Sequence, residues 1–220
     1  MDERAEKKIN CLIITGGGID YDWAADWLRD RKYDYVIAAD NGLEHARRLD
    51  IKVDYILGDY DSVNPDTLKI YAQSTETVIY PSEKDFTDTH LAVLRAINIG
   101  AESIDLIGAT GSRLDHTMTN IFVMKAALDA EVKCAIYDAY NKIYLADGNV
   151  SVKQCEQYGE YISFAPMTEE VRLSLSGVKY PLENYVLKQG LSLCQSNEIA
   201  AETAKINVSG GVLIVYETRD

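Results

Sequence analysis

The chain has 220 residues, 47% of them hydrophobic and 26% charged, enough apolar material for one large core or two small ones and unlike a disordered chain. A formal net charge of −13 argues against nucleic acid and anionic membranes as partners, since both require a basic surface. No run approaches the ~20 apolar residues of a membrane span, and the charged segment from Met1 to Lys8 has no secretory apolar core.

In chain order, short apolar runs alternate with helical stretches. Cys11 to Thr15 is a first strand ended by Gly16-Gly17-Gly18, and residues 19–31 follow with Trp23, Trp27 and Leu28 at helical spacing. Tyr35–Ala39 and Tyr55–Leu57 are further strands, with a short helix over 43–49 between them. Asn64-Pro65 reads as the N-cap and first residue of a helix, because proline's missing N–H costs nothing there. Thr77–Tyr80, Ile104–Ile107 and Lys133–Tyr137 complete the strands, and helices are expected over 87–98 and 115–129. Continuous apolar strands alternating with helices predict a Rossmann-like parallel sheet covered on both faces, an α/β/α domain over residues 1–141.

Beyond residue 141 the period changes. Val171, Leu173 and Leu175 alternate with polar residues, as do Ile206 with Val208 and Leu213 with Val215, and Gly210-Gly211 between the last two runs predicts a hairpin. Residues 142–220 are therefore expected to form an antiparallel β-sandwich. The cysteines Cys11, Cys134, Cys155 and Cys194 are far apart with no Cys-x-x-Cys spacing, which signals neither zinc nor disulfides and fits a reducing cytoplasm. Cys11 and Cys134 lie in apolar strands and are expected to be buried thiols.

Ligands of open parallel sheets bind beyond the carboxyl ends of the strands, so the acids there carry the chemical signal. They are Asp40, in Ala39-Asp40-Asn41-Gly42; Asp59 and Asp61, in Gly58-Asp59-Tyr60-Asp61-Ser62; Asp85 and Asp88, in Lys84-Asp85-Phe86-Thr87-Asp88; and Asp115, in the stretch from Thr110 to His116. In an extended segment, residues i and i+2 point to one side, about 6.6 Å apart, so Asp59 and Asp61 can aim at one cation. Oxygen ligands completed by phosphates are what Mg²⁺ takes. Some of these acids also have purely local readings: Asp85 as a helix N-cap with Asp88 near N3, and Asp40 as a turn former. Lys84 and Arg113 can either pair with the acids or bind phosphate, Arg113 with two donors at once. The three glycines, Gly17 among them, could let backbone approach a phosphate. His45 and His90 read as ordinary helix residues, while His116, beside Asp115, reads equally as structural or functional.

These segments resemble, in order, the thiamin pyrophosphokinase family, and Asn120 falls in the fourth motif. The stretch from Gly190 to Ser196-Asn197 resembles the family's glycine…serine-asparagine segment, and Val178-Lys179-Tyr180-Pro181-Leu182 resembles the one that carries an aromatic ring near thiamin. The resemblance spans residue 11 to the C-terminus. It implies pyrophosphoryl transfer from ATP to thiamin with Mg²⁺ as cofactor, a catalytic ATP- and Mg²⁺-binding domain over residues 1–141, a thiamin-binding and dimerisation domain over 142–220, and a homodimer with shared active sites. Asp59, Asp61 and Asp88 would hold the metal, with Asp40, Asn41 and Asp115 nearby. Lys84 and Arg113 would contact phosphate, and Tyr180, Ser196 and Asn197 would lie around thiamin; Gly17 and His116 join the nucleotide side on the residue reading above. Asn41 stands where many relatives have glycine, Cys194 where many have a small hydroxyl residue, and Tyr180 where some have tryptophan. Two other readings are a non-catalytic thiamin or nucleotide sensor and a haloacid-dehalogenase-like phosphatase. The second is disfavoured because two strand–helix units precede Asp59-Tyr60-Asp61.

Overall fold

The computed structural model describes residues 8–59, 63–73, 75–80 and 85–220. The chain divides into two compact units, Met1–Ala139 and Tyr140–Asp220.

The first unit contains strands β1 (Ile9–Ile14), β2 (Tyr35–Ala39), β3 (Tyr55–Gly58), β4 (Glu76–Ile79), β5 (Ala101–Ile107) and β6 (Lys133–Tyr137). Interspersed are helices α1 (Tyr21–Leu28), α2 (Gly42–Arg48), α3 (Pro65–Ala72), α4 (Asp88–Asn98) and α5 (Leu114–Asp129). The strands run in the order β4-β3-β2-β1-β5-β6, each paired in parallel with its neighbours among the described residues. The chain winds outward from β1 to β4, then returns to lay β5 on the other side of β1. That places the topological switch point between β1 and β5. β3 and most of β1 and β2 are buried, as continuous apolar runs require, whereas β4 is an edge strand with Ile79 exposed.

Local sequence sets the helix starts. The Asp20 carboxylate accepts from the amides of Asp22 and Trp23 at the head of α1, and the Asn64 side chain accepts from the Asp66 amide at α3 with Pro65 first in the helix. At α4 the cap differs from expectation. Thr87 fills it, its hydroxyl accepting from His90 N at 3.2 Å, and Asp88 is the first helical residue rather than the third. A threonine hydroxyl at the true N-cap reaches the third amide of the helix, which leaves the Asp85 carboxylate outside the helix. Helix α4 packs on β1, β2, β3 and β5 and on α5. Trp27 of α1 meets Tyr137 of β6 with ring centroids 4.8 Å apart.

The second unit contains β7 (Asn141–Ala146), β8 (Asn149–Lys153), β9 (Tyr161–Pro166), β10 (Glu170–Ser176), β11 (Leu182–Lys188), β12 (Thr203–Gly210) and β13 (Leu213–Thr218), with one 3₁₀ turn over Gln154–Glu156. Strand β13 lies between β7 and β9, antiparallel to both, and a second antiparallel sheet runs β11-β10-β12-β8. Inward residues of both sheets share one core: Ile162, Phe164, Leu213 and Val215 from one, and Val171, Leu173, Leu175 and Ile206 from the other. This is a sandwich, but Gly210-Gly211 is not the hairpin the sequence predicts. Strands β12 and β13 belong to different sheets, and the glycines carry the chain across between them. Gly211 has φ +80°, and a Cβ there would lie 2.3 Å from Glu170 O. Alternation looks the same on a hairpin and on two strands facing each other through a core, which is why the pattern misled.

The free thiols of Cys11 and Cys134 sit on β1 and β6; Cys11 is buried as expected, whereas Cys134 is only half-buried, and desolvation pushes the Cys11 thiol up to about 12 and raises that of Cys134 as well. Among the described residues no helix is long and apolar enough to cross a membrane.

Candidate active site

The ends of β1 and β5 are locked together. Gly17 N donates to Gly108 O at 2.8 Å, the Thr15 hydroxyl donates to the same oxygen at 2.5 Å, and Thr15 N donates to Ile107 O at 3.0 Å. A Cβ on Gly17 would stand 2.2 Å from Gly108 O, and one on Gly108, whose φ is +69°, 2.4 Å from Thr15 O. Only glycines allow this crossing.

A cleft of about 580 Å³ opens over the crossing, at the switch point. Its walls come from the end of every strand from β1 to β5: Thr15 to Gly18 after β1, Asp40 after β2, Asp59 after β3, Asp85 to Thr89 entering α4, and Gly108 to Arg113 with His116 and Asn120. Asp40 adopts a left-handed conformation, φ 50°, rare for a residue with a side chain, and donates its amide to Leu57 O. It is therefore both the turn former and a wall of the cleft, two readings the sequence could not separate. Buried Asn120 donates to Ala109 O at 2.8 Å, and the Thr110 hydroxyl donates to Asp138 at 2.7 Å, so the β5 loop is held from two sides.

Of the residues singled out from sequence, Gly17, Asp40, Asp59, Asp88, Arg113 and His116 line this cleft. Asn41 and Asp115 are not among its lining residues. Asn41 is the N-cap of α2, where its side chain makes no cap bond. Asp115 is exposed and ion-paired with Arg113 at 2.6 Å, and that guanidinium holds its carboxyl below the ordinary carboxylate range. Asp61 and Lys84 lie outside the described residues. Tyr180, Ser196 and Asn197 are in the second unit. Asn197 is buried there: its side-chain oxygen accepts from Tyr180 N at 3.0 Å and its amide donates to Tyr180 O at 2.9 Å. The Tyr180 ring itself is exposed, with the Lys179 ammonium 5.7 Å from its centroid. Ser196 has φ 51° and Cys194 φ 76°, and Ser196 N donates to the Ser163 hydroxyl at 2.9 Å.

Sequence reading missed Thr15, Phe86, Thr87 and Thr117 as cleft residues. Thr87 alone had a signal, a hydroxyl residue heading an apolar-periodic stretch. His45 is a residue of helix α2, as expected, and it is buried and bonded to Gly17 O at 2.8 Å and to the Tyr21 hydroxyl at 2.7 Å.

A parallel α/β sheet with an acid-lined cleft at its switch point, followed by a separate antiparallel β unit, defines a two-unit α/β-plus-β protein whose candidate site lies in the first unit. Residues 29–136 match the family model described as thiamin pyrophosphokinase, catalytic domain, and residues 149–213 match that described as thiamin pyrophosphokinase, vitamin B1 binding domain. Over 166 residues the chain is 31% identical to a thiamine pyrophosphokinase of Bacillus subtilis, covering 74% of this chain and 77% of that protein. It is 24% identical over 199 residues to a thiamin pyrophosphokinase of Caenorhabditis elegans, covering 84% and 80% of the two chains. Crystal structures of thiamin pyrophosphokinases from Bacillus subtilis and Geobacillus thermodenitrificans superpose with TM-scores of 0.85 and 0.83 at 26% and 27% identity, over 96% of this chain and 99% and 98% of theirs. The chain belongs to the thiamin pyrophosphokinase family.

The buried imidazole gives the first unit a pH signature. Burial lowers the His45 pKa from its ordinary 6.5, the hydrogen bond to Gly17 O opposes that, and Arg48 and Glu44 pull in opposite directions. The unfolded chain therefore takes up the proton first, so His45 contributes stability that is present above about pH 6.5 and lost as pH falls. Urea midpoints measured between pH 7 and 5 should fall more steeply for the native chain than for His45→Gln. Parallel slopes would mean that the imidazole is not held neutral.

Proposed function

We propose that this chain transfers the pyrophosphoryl group of ATP to the hydroxyl of thiamin, giving thiamin diphosphate and AMP. The observation that carries this reading is the gathering of Asp40, Asp59, Asp85 and Asp88 with Arg113 around one cleft at the switch point. Like charges so gathered repel unless a cation or cationic ligand compensates them. The donors are carboxylates, with no thiol among the described residues of the cleft wall, which suits a hard cation such as Mg²⁺. Among the described residues no three acids, histidines or cysteines are close enough to enclose an ion, and the proposed third ligand, Asp61, lies outside them. Asp59, Asp61 and Asp88 would hold the Mg²⁺, which when bound neutralises charge on the polyphosphate.

The chain's own groups do the positioning on which such a transfer depends. Arg113, oriented by Asp115, offers its planar fork to phosphate oxygens, with Lys84 and His116 as further phosphate contacts. Asp40 and Asn41 would border the nucleotide. The thiamin hydroxyl attacks the β-phosphorus in line and AMP leaves. Asp88 is the better placed of the two candidate proton acceptors. It lines the cleft, whereas Asp115 is outside its wall and is made a weaker base by Arg113.

In the β unit, Tyr180 would present its ring to the cationic thiazolium. The ring already meets the Lys179 ammonium, which supports its capacity to take a cation there. Asn197 spends both ends of its amide on the Tyr180 backbone, so its part is to hold Tyr180 rather than to bind thiamin directly. Ser196 remains a proposed thiamin contact. A homodimer with shared active sites completes the reading. In that dimer residues 142–220 would form the interface, and Leu114, Met118 and Phe122, exposed at i, i+4 and i+8 on α5, offer a further apolar surface on the first unit.

Mass spectrometry of a reaction of ATP, Mg²⁺ and thiamin should find AMP and thiamin diphosphate; ADP with thiamin monophosphate would refute pyrophosphoryl transfer. Asp59→Asn and Asp88→Asn should each lower kcat on the order of 10²-fold, by analogy with removing one transition-state contact, and Asp115→Asn by less than about tenfold. The opposite ranking of Asp88 and Asp115 would reverse the choice of base. Tyr180→Ala should raise the thiamin KM about 2- to 30-fold with little change for ATP, the range expected for loss of a cation–π contact. Asn197→Ala should reproduce that selectivity; equal rises in both constants would indicate a folding defect instead.

A further inference from the structure

We propose that His45 is a positioning residue for the nucleotide side of the cleft, acting through the carbonyl of Gly17. The inference rests on the reading of this cleft as the ATP site.

Gly17 lines the cleft but has no side chain by which to be fixed, so its orientation is set by its two backbone groups. The amide is bound to Gly108 O at 2.8 Å. The carbonyl meets Nε2 of His45 at 2.8 Å, across 28 positions of sequence. A carbonyl only accepts, so Nε2 must carry the proton. In the neutral ring Nδ1 is then an acceptor, and it takes the Tyr21 hydroxyl at 2.7 Å. The Arg48 guanidinium lies 3.7 Å from the Tyr21 ring centroid and supports the tyrosine from outside. The relay Arg48–Tyr21–His45–Gly17 fixes tautomer and ring orientation and delivers one hydrogen bond to the cleft wall.

Holding Gly17 by both of its groups sets the direction in which the chain leaves for Gly18. An added Cβ at Gly18 would meet nothing within 4 Å, so this residue stands in open space at the cleft wall. His45 itself is not among the residues lining the cleft, which separates positioning from contact. The turn is thereby fixed before nucleotide arrives, and ordering it costs nothing on binding.

The test is a pair of near-isosteric variants. His45→Gln keeps an N–H donor near the position of Nε2, whereas His45→Asn is too short to reach Gly17 O. With Mg²⁺–ATP and thiamin as substrates, His45→Asn should raise the ATP KM about 3- to 10-fold, the size of one net hydrogen bond, and leave the thiamin KM unchanged. His45→Gln should restore the ATP KM to within about twofold of the native chain, on the same hydrogen-bond argument. Equal ATP constants in the two variants, or parallel rises for both substrates, would overturn the proposal. The native chain provides an independent readout that needs no variant to fold. The ¹⁵N shifts of His45 should report the Nε2–H tautomer already in the absence of ATP, and a predominant Nδ1–H tautomer would also overturn it. If the native enzyme turned over neither substrate, the cleft assignment would fail at that step, before any comparison of variants.

Discussion

The oxygen of Gly108 accepts from both the Thr15 hydroxyl and the Gly17 amide, and this shared acceptor fixes the geometry of the catalytic unit. At a switch point two loops leave adjacent parallel strands in opposite directions, and a crevice opens between them. How wide it opens depends on how closely the loops approach at their base. Here the two backbones touch with no room for a single Cβ on either glycine. The acids after β2, β3 and β4 can be brought to this cleft because its floor is rigid, and any residue larger than glycine would push the floor apart before it altered a single carboxylate.

Much of this was legible in the sequence, for identifiable reasons. Apolar runs such as Tyr35–Ala39 are buried on both faces and so appear as uninterrupted hydrophobic segments, and Asn64-Pro65 starts a helix through chemistry confined to three residues. The acids at strand ends were visible because a charge directly after an apolar strand gains nothing from packing. What stayed hidden depends on residues distant in sequence. His45 finds Gly17 only after β2 has paired with β1, and Gly210-Gly211 crosses between sheets only because β13 finds β7 and β9. The α4 cap was misread for a local reason: Asp85, Thr87 and Asp88 are all competent capping residues, and backbone conformation chose the threonine.

The two units stabilise their polar groups in different ways. In the α/β unit, the polar groups around the cleft are tied to the backbone of neighbouring loops, as with Asn120 to Ala109 and Thr15 to Gly108. In the β unit the one fully buried acid, Glu217 on β13, is met by the Lys142 ammonium at 2.8 Å and by the amide of Tyr158 at 2.8 Å. A buried carboxylate with both oxygens occupied is tolerable, and it fixes the β7–β13 register as hydrophobic alternation alone could not.

That register has a kinetic side. Strand β13 is the last strand made, yet it lies between two earlier ones, β7 and β9. Until it emerges, β7 and β9 have no neighbour at the edges they will later share with it, and the apolar residues Ile162 and Phe164 await much of their cover. Such pairing gives the β unit a high contact order, and slow closure with exposed strand edges follows from that. The α/β unit needs only elements already synthesised by residue 137. During translation the cleft of the first unit can therefore be complete while the β unit is still an open sheet, and a break in synthesis after β12 would leave a chain with a formed cleft and an aggregation-prone edge.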